Sequence, residues 1–490
     1  MGKYRGGTLV ASLLAGAATL SGCGGGGGSG SSTPTTGTST PISTPATPPP
    51  VATASCTPRD RQDWVLAQMK EWYLFPETLP TSLAPGGYAD ADSYLDALTA
   101  NARAQGKDRY FTYLTSIKSE DAYYETGSSA GFGFRIGLDT GGRLFVTEAF
   151  EGGPALAAGL DRGTEILAIG ASETSLRDTA GIYAAGGAAA LAAALGEEAP
   201  NTSTALRFRT LDGTTRTATL TKRNFDLTPV SGRYGAQIID DGGHRVGYVN
   251  LRSFISTADP ALRNAFAGFR SAGVTEVIVD LRYNGGGLLS TAELLSSLLG
   301  GNRSTSDVQS VVSYRPEKAS NNRTSYFQPQ PQSVPTTRIA FIGTGGTASA
   351  SEYVINAFTP YLHASSALIG TNTYGKPVGQ IAIDRPGCDD RLRVIAFALQ
   401  NAARQGAYFS GLAGSVEASC QASDDIGHPL GDPREASTRA ALDFIEGKPC
   451  TRIAAGTSGA LSLSEGASGR RTLLIPARPS TAQRETPGLF

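Results

Sequence analysis

Apolar and polar positions alternate with a helical period near the start of the folded part of the sequence. Thr57-Pro58 suits a helix start, because a capping residue precedes a proline in the first turn. Apolar residues then recur at helical spacing at Trp64, Val65, Met69, Trp72 and Tyr73. After a break at residues 76–87, a second helix is predicted over residues 91–104. Residues 56–126 are therefore expected to form a small helical region, with the aromatic stripe in its core.

From about Gly127 the pattern changes to short alternating runs separated by glycines, which indicates strands. Residues 143–147 are one such run, and residues 217–221 after the turn residues Asp212-Gly213 are another. The Ala-rich stretch 184–195 predicts a helix between them. Residues 127–225 are expected to form a β-rich domain.

Buried strands then alternate with helical segments. Apolar runs at 246–251, 276–282, 339–342 and 367–370 predict strands, and helical stretches follow several of them. This alternation favours an α/β domain over residues 226–452, with a closing strand at 393–397 and a helix at 437–446. Residues 453–490 are rich in Ser, Ala, Gly and Arg, and this composition predicts a disordered tail.

The first 22 residues have the pattern of an export signal. Lys3 and Arg5 precede a short apolar run that ends in Leu20-Ser21-Gly22-Cys23, and this ending resembles the bacterial lipobox. The resemblance implies a lipid-modified Cys23, and Gly24 in place of Asp favours the outer membrane, on its periplasmic face in the cell envelope. An ordinary secretory signal with a chance cysteine is the alternative. Residues 23–55 are expected to form a disordered tether with a reach of roughly 30 Å.

Length and charge limit the classes of function. A chain of 490 residues suggests two to four folded units, and 40% hydrophobic residues suffice for packed cores. With 42 basic and 43 acidic residues, the bulk charge gives no indication of a nucleic-acid partner. Membrane contact is expected through the lipid anchor only.

Four cysteines remain besides Cys23, namely Cys56, Cys388, Cys420 and Cys450. An even number in an exported chain favours two disulfides, and the sequence allows three pairings. We favour Cys388–Cys420, which closes a local loop, and Cys56–Cys450, which ties the start of the folded part to its end. A metal site is not expected, because CxxC spacing and nearby histidines are missing.

Three motifs in the α/β region carry chemistry. The first follows a predicted strand and offers free backbone N–H groups; it is Tyr283-Asn284-Gly285-Gly286-Gly287. The second is Ser349, at the predicted start of a helix after a strand. The third contains Lys376, which precedes Gln380 by four positions. Taken as DLRxNxGG, TASASE and T[YF]GKxxxQ, these motifs resemble the C-terminal-processing (tail-specific) peptidase family over residues 57–450. Lys376 lies two residues further from Ser349 than is usual in that family, and Pro377 stands where a glycine is common.

This resemblance implies a serine endopeptidase without cofactors, acting on polypeptides with free or apolar C-termini. Ser349 would be the nucleophile, Lys376 its general base and Gln380 the residue that orients the lysine. The N–H groups of Ala350 and Gly286, with Gly287 as the alternative to Gly286, would form the oxyanion hole. The implied fold is a catalytic α/β domain of crotonase/Clp-protease-like ββα units, with a PDZ-like domain inserted after the helical region.

The PDZ resemblance has its own residues. Residues 131–134, Gly-Phe-Gly-Phe, are followed by Gly153-Pro154 and by the stretch 159–169 with its Gly-Leu-x-x-Gly pattern. Gly131, Phe132, Gly133 and Phe134 would form the loop that binds a C-terminal carboxylate, and an adjoining sheet edge would accept an extended peptide. The chain ends in Gly488-Leu489-Phe490, and this apolar ending leads to the hypothesis that the tail occupies the protein's own groove or is trimmed by its own site.

Several alternatives stay open. A Ser-His-Asp triad would need His244, His363 or His428, and Ser351 competes with Ser349 as the nucleophile. A lipoprotein adaptor that binds peptides without cleaving them is the main competing function. A carrier of a small ligand on the same fold is a third, but it would not need both Ser349 and Lys376.

Overall fold

The computed structural model of the chain describes residues 55–455 and 471–490. The predicted export signal 1–22, the lipidation candidate Cys23 and residues 24–54 of the predicted tether lie outside the described residues, as do residues 456–470. Among the helices of the described ranges, none has both the length and the apolarity to cross a membrane.

The N-terminal region is helical, as its apolar period predicts. Its elements are α1 Pro58–Trp72, α2 Ala91–Leu98, α3 Ala100–Ala104, β1 Tyr113–Ser116 and α4 Ile117–Thr126. The hydroxyl of Thr57 accepts a hydrogen bond from the N–H of Asp60 and caps α1. The second predicted helix is divided at Thr99 into two. Val65 and Met69 are fully buried in an apolar cluster that they share with a later strand, so this stripe is core.

The β-rich region follows. Its elements are β2 Ser128–Gly131, β3 Phe134–Asp139, β4 Leu144–Ala149, α5 Pro154–Ala157, β5 Glu165–Gly170, β6 Arg177–Asp178, α6 Thr179–Leu195, β7 Ser203–Arg209, β8 Thr215–Thr221 and β9 Arg223–Asp226. Strands β3, β4, β5, β7 and β8 are neighbours in one antiparallel sheet, while β2 pairs with β9. Helix α6 is kinked at Gly186-Gly187 and packs its second half into the core of this sheet.

The third region is an α/β unit. Its elements are β10 Ala236–Asp241, β11 His244–Asn250, α7 Ala258–Ser271, β12 Glu276–Asp280, α8 Leu289–Leu299, β13 Val308–Tyr314, β14 Arg323–Tyr326, β15 Arg338–Gly343, α9 Ala350–Leu362, β16 Ser366–Gly370, β17 Val378–Arg385, β18 Asp390–Gln400, β19 Ala418–Gln421 and α10 Ala436–Ile445.

Two sheets organise these strands in the described chain. The first has the order β10-β11-β12-β15-β16-β19 and is parallel from β11 onwards. Its two faces are covered by separate apolar clusters, with α7, α8 and α9 on one face and α10 on the other. The second sheet joins β1, β18, β13 and β14, with β17 paired to β18. Strand β1 thereby attaches the N-terminal region to the α/β unit.

The tail prediction is wrong for residues 471–490. These residues form β20 Arg471–Leu473 and α11 Thr481–Glu485, and β20 pairs antiparallel with β3. Composition alone indicated disorder, because a polar segment cannot bury a core of its own. The segment is ordered by an existing sheet edge and by pockets elsewhere in the fold.

Both favoured disulfide pairings are wrong. The structure joins Cys56 to Cys388, with Cα atoms 5.6 Å apart, and Cys420 to Cys450, at 5.5 Å. Cys388 lies in the turn between β17 and β18, and this turn packs against the beginning of α1, where Arg61 donates a hydrogen bond to the Cys388 carbonyl. Cys420 lies in β19 of the other sheet, so the loop-length argument selected the wrong neighbour.

Candidate active site

Ser349 lies at the junction between a strand and a helix. It follows the turn after β15 and is the N-cap residue of α9, with φ 54° and ψ −114°. A positive φ is uncommon for a residue with a side chain, and such strain is found mostly where surrounding contacts impose it. Here the N–H of Ala348 donates to the Asn284 carbonyl at 3.0 Å, and the Thr347 hydroxyl donates to the Leu281 carbonyl at 2.8 Å. The strained serine is therefore held against the glycine-rich loop that follows β12.

The glycine-rich loop, residues 283–287, packs directly on Ser349. A Cβ atom on Gly286 would lie 2.8 Å from Ser349 Cβ and 3.2 Å from the Ala350 nitrogen, and its φ is 123°. Only glycine fits this position without displacing the serine. The N–H of Gly286 donates to Asn284 Oδ1 at 2.9 Å, and Gly287 packs against the Phe254 carbonyl. The two predicted oxyanion residues, Gly286 and Ala350, thus flank Ser349.

Buried arginine side chains hold the same loop in place. The Arg282 guanidinium donates to both oxygens of Glu435, at 2.8 and 2.9 Å, and to Asp280 at 3.0 Å. Two arginines of the β-rich region donate hydrogen bonds to Tyr283: Arg162 to its hydroxyl at 3.0 Å and Arg135 to its carbonyl at 2.7 Å. The DLR motif is therefore structural, and the β-rich region contacts the loop beside Ser349 through two arginines.

Lys376 lies on the segment between β16 and β17 and is 9% exposed. Its Nζ donates to Gln380 Oε1 at 3.1 Å and lies 5.3 Å from the centre of the Phe111 ring, while the Gln380 amide donates to the Phe111 carbonyl. Burial lowers the pKa of Lys376, and the Glu485 carboxylate is the largest influence in the opposite direction. Within the described residues, the Lys376 amine makes its hydrogen bond to Gln380 and none to Ser349.

Glu352 is a site residue that the sequence analysis missed. Its fully buried carboxylate accepts from the N–H groups of Ser349 at 3.0 Å, Gly375 at 2.7 Å and Lys376 at 2.7 Å, and from the Thr373 hydroxyl at 2.6 Å. One side chain thus fixes the backbone of both Ser349 and Lys376. The signal was present as Ser349-x-x-Glu352, a capping-box pattern at the start of α9.

The alternative nucleophile and bases have other partners. Ser351 is fully buried and donates to the Asn284 carbonyl at 3.0 Å. His244 pairs with Glu276, His363 with Glu417 and His428 with Asp425, all on partly exposed surface. In the described chain no hydrogen bond joins a histidine to Ser349, so the geometry offers no Ser-His pair.

The predicted carboxylate-binding loop of the β-rich region is occupied by the chain itself. The N–H groups of Phe132 and Gly133 donate to the Phe490 oxygen at 3.0 Å each, and that of Phe134 points to the same atom at 3.5 Å. A Cβ atom on Gly131 would lie 2.7 Å from the Phe490 carbonyl carbon. The Phe490 side chain is 2% exposed and belongs to the same apolar cluster as α6.

A cavity of about 1470 Å³ connects this groove with the α/β unit. Its lining includes Gly285, Ala348 and Lys376 on one side, and Glu485 and Phe490 of the C-terminal segment on the other. Strand β1 and the residues before it complete the wall. The cavity therefore places the groove and the surroundings of Ser349 in one continuous space.

Comparison with known proteins gives matches over the same segments. Residues 245–402 match peptidase family S41, and residues 60–113 match the S41 N-terminal domain. The C-terminal processing peptidase of Tetradesmus obliquus chloroplasts is 26% identical over 272 residues, 53% of each chain. A carboxyl-terminal-processing protease of Picosynechococcus is 26% identical over 265 residues, 53% of this chain and 58% of its own. The chain thus spans a little over half the length of these curated relatives.

A solved structure shows the fold. A protein from Bacteroides fragilis NCTC 9343, named as an S41 protease, superposes with a TM-score of 0.60 at 23% identity and covers 78% of this chain and 97% of its own. Such a likeness establishes the architecture, not the activity. Residues 245–402, which contain both Ser349 and Lys376, are therefore similar in sequence to the serine-type peptidases of family S41, and the fold around them is that of an S41 protease.

Proposed function

We propose that this protein is a serine endopeptidase that cleaves exported polypeptides with a Ser349/Lys376 pair. The observation that carries the proposal is the Glu352 carboxylate, which binds the backbone N–H groups of both residues and so fixes their relative position. The family match over residues 245–402 supports the same reaction class. A small-ligand carrier would not need a strained serine and a buried lysine whose backbones bind the same carboxylate.

The proposed chemistry needs a neutral lysine. Burial lowers the pKa of Lys376, and Gln380 accepts its hydrogen bond without adding a charge that would favour the ammonium form. The neutral amine takes the proton of the Ser349 hydroxyl as the oxygen attacks the substrate carbonyl carbon. The protonated amine then gives this proton to the leaving nitrogen when the peptide bond breaks, and water hydrolyses the acyl-enzyme by the reverse proton transfers.

The oxyanion of this reaction would form beside Ala350 and Gly286. The Ala350 N–H lies in the first turn of α9, where it is available to a developing negative charge. The Gly286 N–H donates to Asn284 Oδ1 in this structure. It can donate to the oxyanion only after the Asn284 side chain has moved away. Gly287 is the alternative donor.

The β-rich region is proposed to be a PDZ-like domain that recognises C-terminal or unstructured segments. Convergence of three N–H groups on the Phe490 oxygen supports this role, because such a nest suits a carboxylate. The Phe490 N–H also donates to the Phe134 carbonyl, as the backbone of a peptide added to a sheet edge would. An apolar final side chain would fill the pocket next to α6.

Membrane attachment is a further part of the proposal and depends on sequence alone. Cys23 in Leu20-Ser21-Gly22-Cys23 would carry the lipid. We therefore propose the periplasmic face of the outer membrane as its location. Mass spectrometry of the mature N-terminus tests it, since an unmodified Cys23 would refute the anchor.

The activity is tested by cleavage of an unstructured polypeptide with an apolar C-terminus. We expect the purified protein to cleave it, and Ser349→Ala and Lys376→Ala to reduce the rate at least about 10³-fold. Ser320→Ala and Lys118→Ala are matched controls, because both residues are exposed. Binding without cleavage by all variants would favour the adaptor, and cleavage by Ser349→Ala would refute the assigned nucleophile.

A further inference from the structure

The C-terminal segment, residues 471–490, contacts one strand twice. Its first part, β20, pairs with residues 137–139 of β3, and its last part returns to the same strand. There the N–H of Ile136 donates to the Gly488 carbonyl at 2.9 Å, and the N–H of Phe490 donates to the Phe134 carbonyl at 3.0 Å. Residues 475–487 between the two contacts leave the sheet, and most of them line the cavity. The segment is thus fixed at both ends and looped in the middle.

The middle of this loop lies on the glycine-rich loop beside Ser349. The N–H of Gly285 donates to the Glu485 carbonyl at 2.9 Å. A Cβ atom on Gly285 would lie 2.2 Å from the Arg484 carbonyl oxygen, so the two backbones are in direct contact. Gly285 is adjacent to Gly286, which packs on Ser349. Residues 484–485 therefore cover the cleft where a substrate backbone would have to pass.

Side chains of the N-terminal region bind the same residues. Tyr124 donates to Glu485 Oε1 at 3.2 Å, and the hydroxyls of Tyr123 and Thr486 are 3.0 Å apart. Ser480 and Gln483 form a capping box at the N-terminus of α11, and the Gln483 amide donates to the Leu489 carbonyl at 3.0 Å. The contacts extend along the whole loop, so it is a docked structure.

Glu485 also opposes the proposed general base. Its carboxyl is buried near Lys376, and it is the strongest charge acting on that amine in favour of the protonated form. Burial raises the pKa of Glu485, and the charge of Lys376 acts in the opposite direction. An ammonium cannot accept the serine proton. The docked segment thus opposes catalysis by occupying the cleft. Its Glu485 and the nearby Asp108 favour the ammonium form of Lys376, while its Arg484 and the nearby Arg393 act in the opposite direction.

We propose that residues 471–490 are an internal inhibitor, and that polypeptides ending in an apolar carboxylate activate the protein by displacing Phe490 from its groove. This inference rests on the proposed peptidase function and adds its regulation. A tethered ligand has an effective concentration in the millimolar range, so a free polypeptide competes only when it is abundant or fits better. The groove and the cleft are coupled because one continuous segment binds in the groove and covers the cleft.

The test compares the rates at which three proteins cleave an unstructured reporter that ends in a polar residue. Three proteins are measured: the full chain, a variant without residues 471–490 and Phe490→Asp, which places a charge in the apolar pocket. We expect the last two to cleave at least about 10-fold faster than the full chain. Leu211→Asp is the matched control, since Leu211 is 61% exposed and its variant should keep the basal rate.

A synthetic peptide, TPGLF, identical to residues 486–490, provides the second readout, because it carries the groove contacts without the two residues that cover the cleft. Labelled peptide should bind the shortened variant at least about 10-fold more tightly than the full chain, and it should accelerate the full chain. The same peptide ending in Asp should do neither. If the shortened variant does not fold, Phe490→Asp and the peptide decide.

The outcomes separate the two proposals. Equal, measurable cleavage by all three proteins would overturn the internal inhibitor and leave the peptidase in place. Cleavage by none of them, the shortened variant included, would overturn the peptidase and its regulation together. Faster cleavage by Phe490→Asp without any effect of the free peptide would overturn activation by displacement.

Discussion

Glu352→Gln should damage both stability and turnover, because one carboxylate serves four donors. Each oxygen accepts two hydrogen bonds, from the N–H groups of Ser349 and Lys376 on one side and from Gly375 and Thr373 on the other. The replacement amide keeps one acceptor. Its NH₂ fits best toward Thr373, whose hydroxyl can turn to accept, but the buried N–H of Gly375 then loses its partner.

The magnitude follows from this count. One buried N–H without a partner costs about 1–3 kcal/mol, and the remaining hydrogen bonds lose the contribution of the charge. Relief of the cost of burying a carboxylate offsets part of this loss. We therefore expect the free energy of unfolding to fall by about 2 kcal/mol. A shift of the Ser349 or Lys376 backbone by a fraction of an ångström should also lower kcat by about 10–100-fold, with little change in KM.

Urea unfolding measures the first effect, and initial rates of cleavage of an unstructured polypeptide measure the second. Glu317→Gln is the control, because its side chain is 70% exposed and its pairing with Arg315 is loose at 3.6 Å. A variant with unchanged kcat but reduced stability would show that Glu352 only supports the fold. A variant unchanged in both would refute the reasoning about the shared carboxylate.

Further predictions concern the base, the glycine-rich loop and the disulfides. The cleavage rate should rise with pH as the Lys376 ammonium loses its proton, and because burial lowers the pKa of this group, the rise should come at a lower pH than for an ordinary lysine. Glu485→Gln should move this rise to still lower pH, because it removes a carboxylate that favours the ammonium form. A pH–rate profile without such a shift would contradict this reasoning. Gly286→Ala should reduce kcat by about 10²-fold, since its Cβ would press on Ser349 Cβ at 2.8 Å, whereas Gly268→Ala in α7 has free space and should keep the rate. Peptide mapping without reduction should find Cys56 linked to Cys388. Replacing that pair by serines should destabilise the protein by about 2 kcal/mol more than replacing Cys420 and Cys450, because the first disulfide joins residues 332 positions apart and the second joins residues 30 apart. Equal losses of stability would argue against the loop-entropy reasoning.

Much of the fold could be predicted because its signals are local. The cap at Thr57, the period of Val65 and Met69 and the alternation of strands and helices after residue 246 each depend on near neighbours in sequence. The structure places a helix or strand at each of these predictions. The division of the second helix at Thr99 was not predicted, since helix ends depend on packing as much as on sequence pattern.

The site was accessible from the sequence only in part. Ser349, Lys376 and Gln380 were predicted from the motifs around them, and the hydrogen bond between Lys376 and Gln380 agrees with two side chains on one face of an extended segment. The role of Glu352 was missed. Its partners at 373–376 come from a different segment, and nothing in the sequence near Glu352 indicates that the carboxylate reaches them.

Local patterns in the sequence predicted many of the helices and strands, because helical period, capping residues and glycine-rich turns act over a few residues. The tertiary structure set the partners of distant groups. It paired Cys56 with Cys388, placed Glu485 opposite Lys376 and ordered a polar tail against β3. These contacts join residues up to several hundred positions apart, and their formation depends on how sheets and helices pack rather than on any local preference.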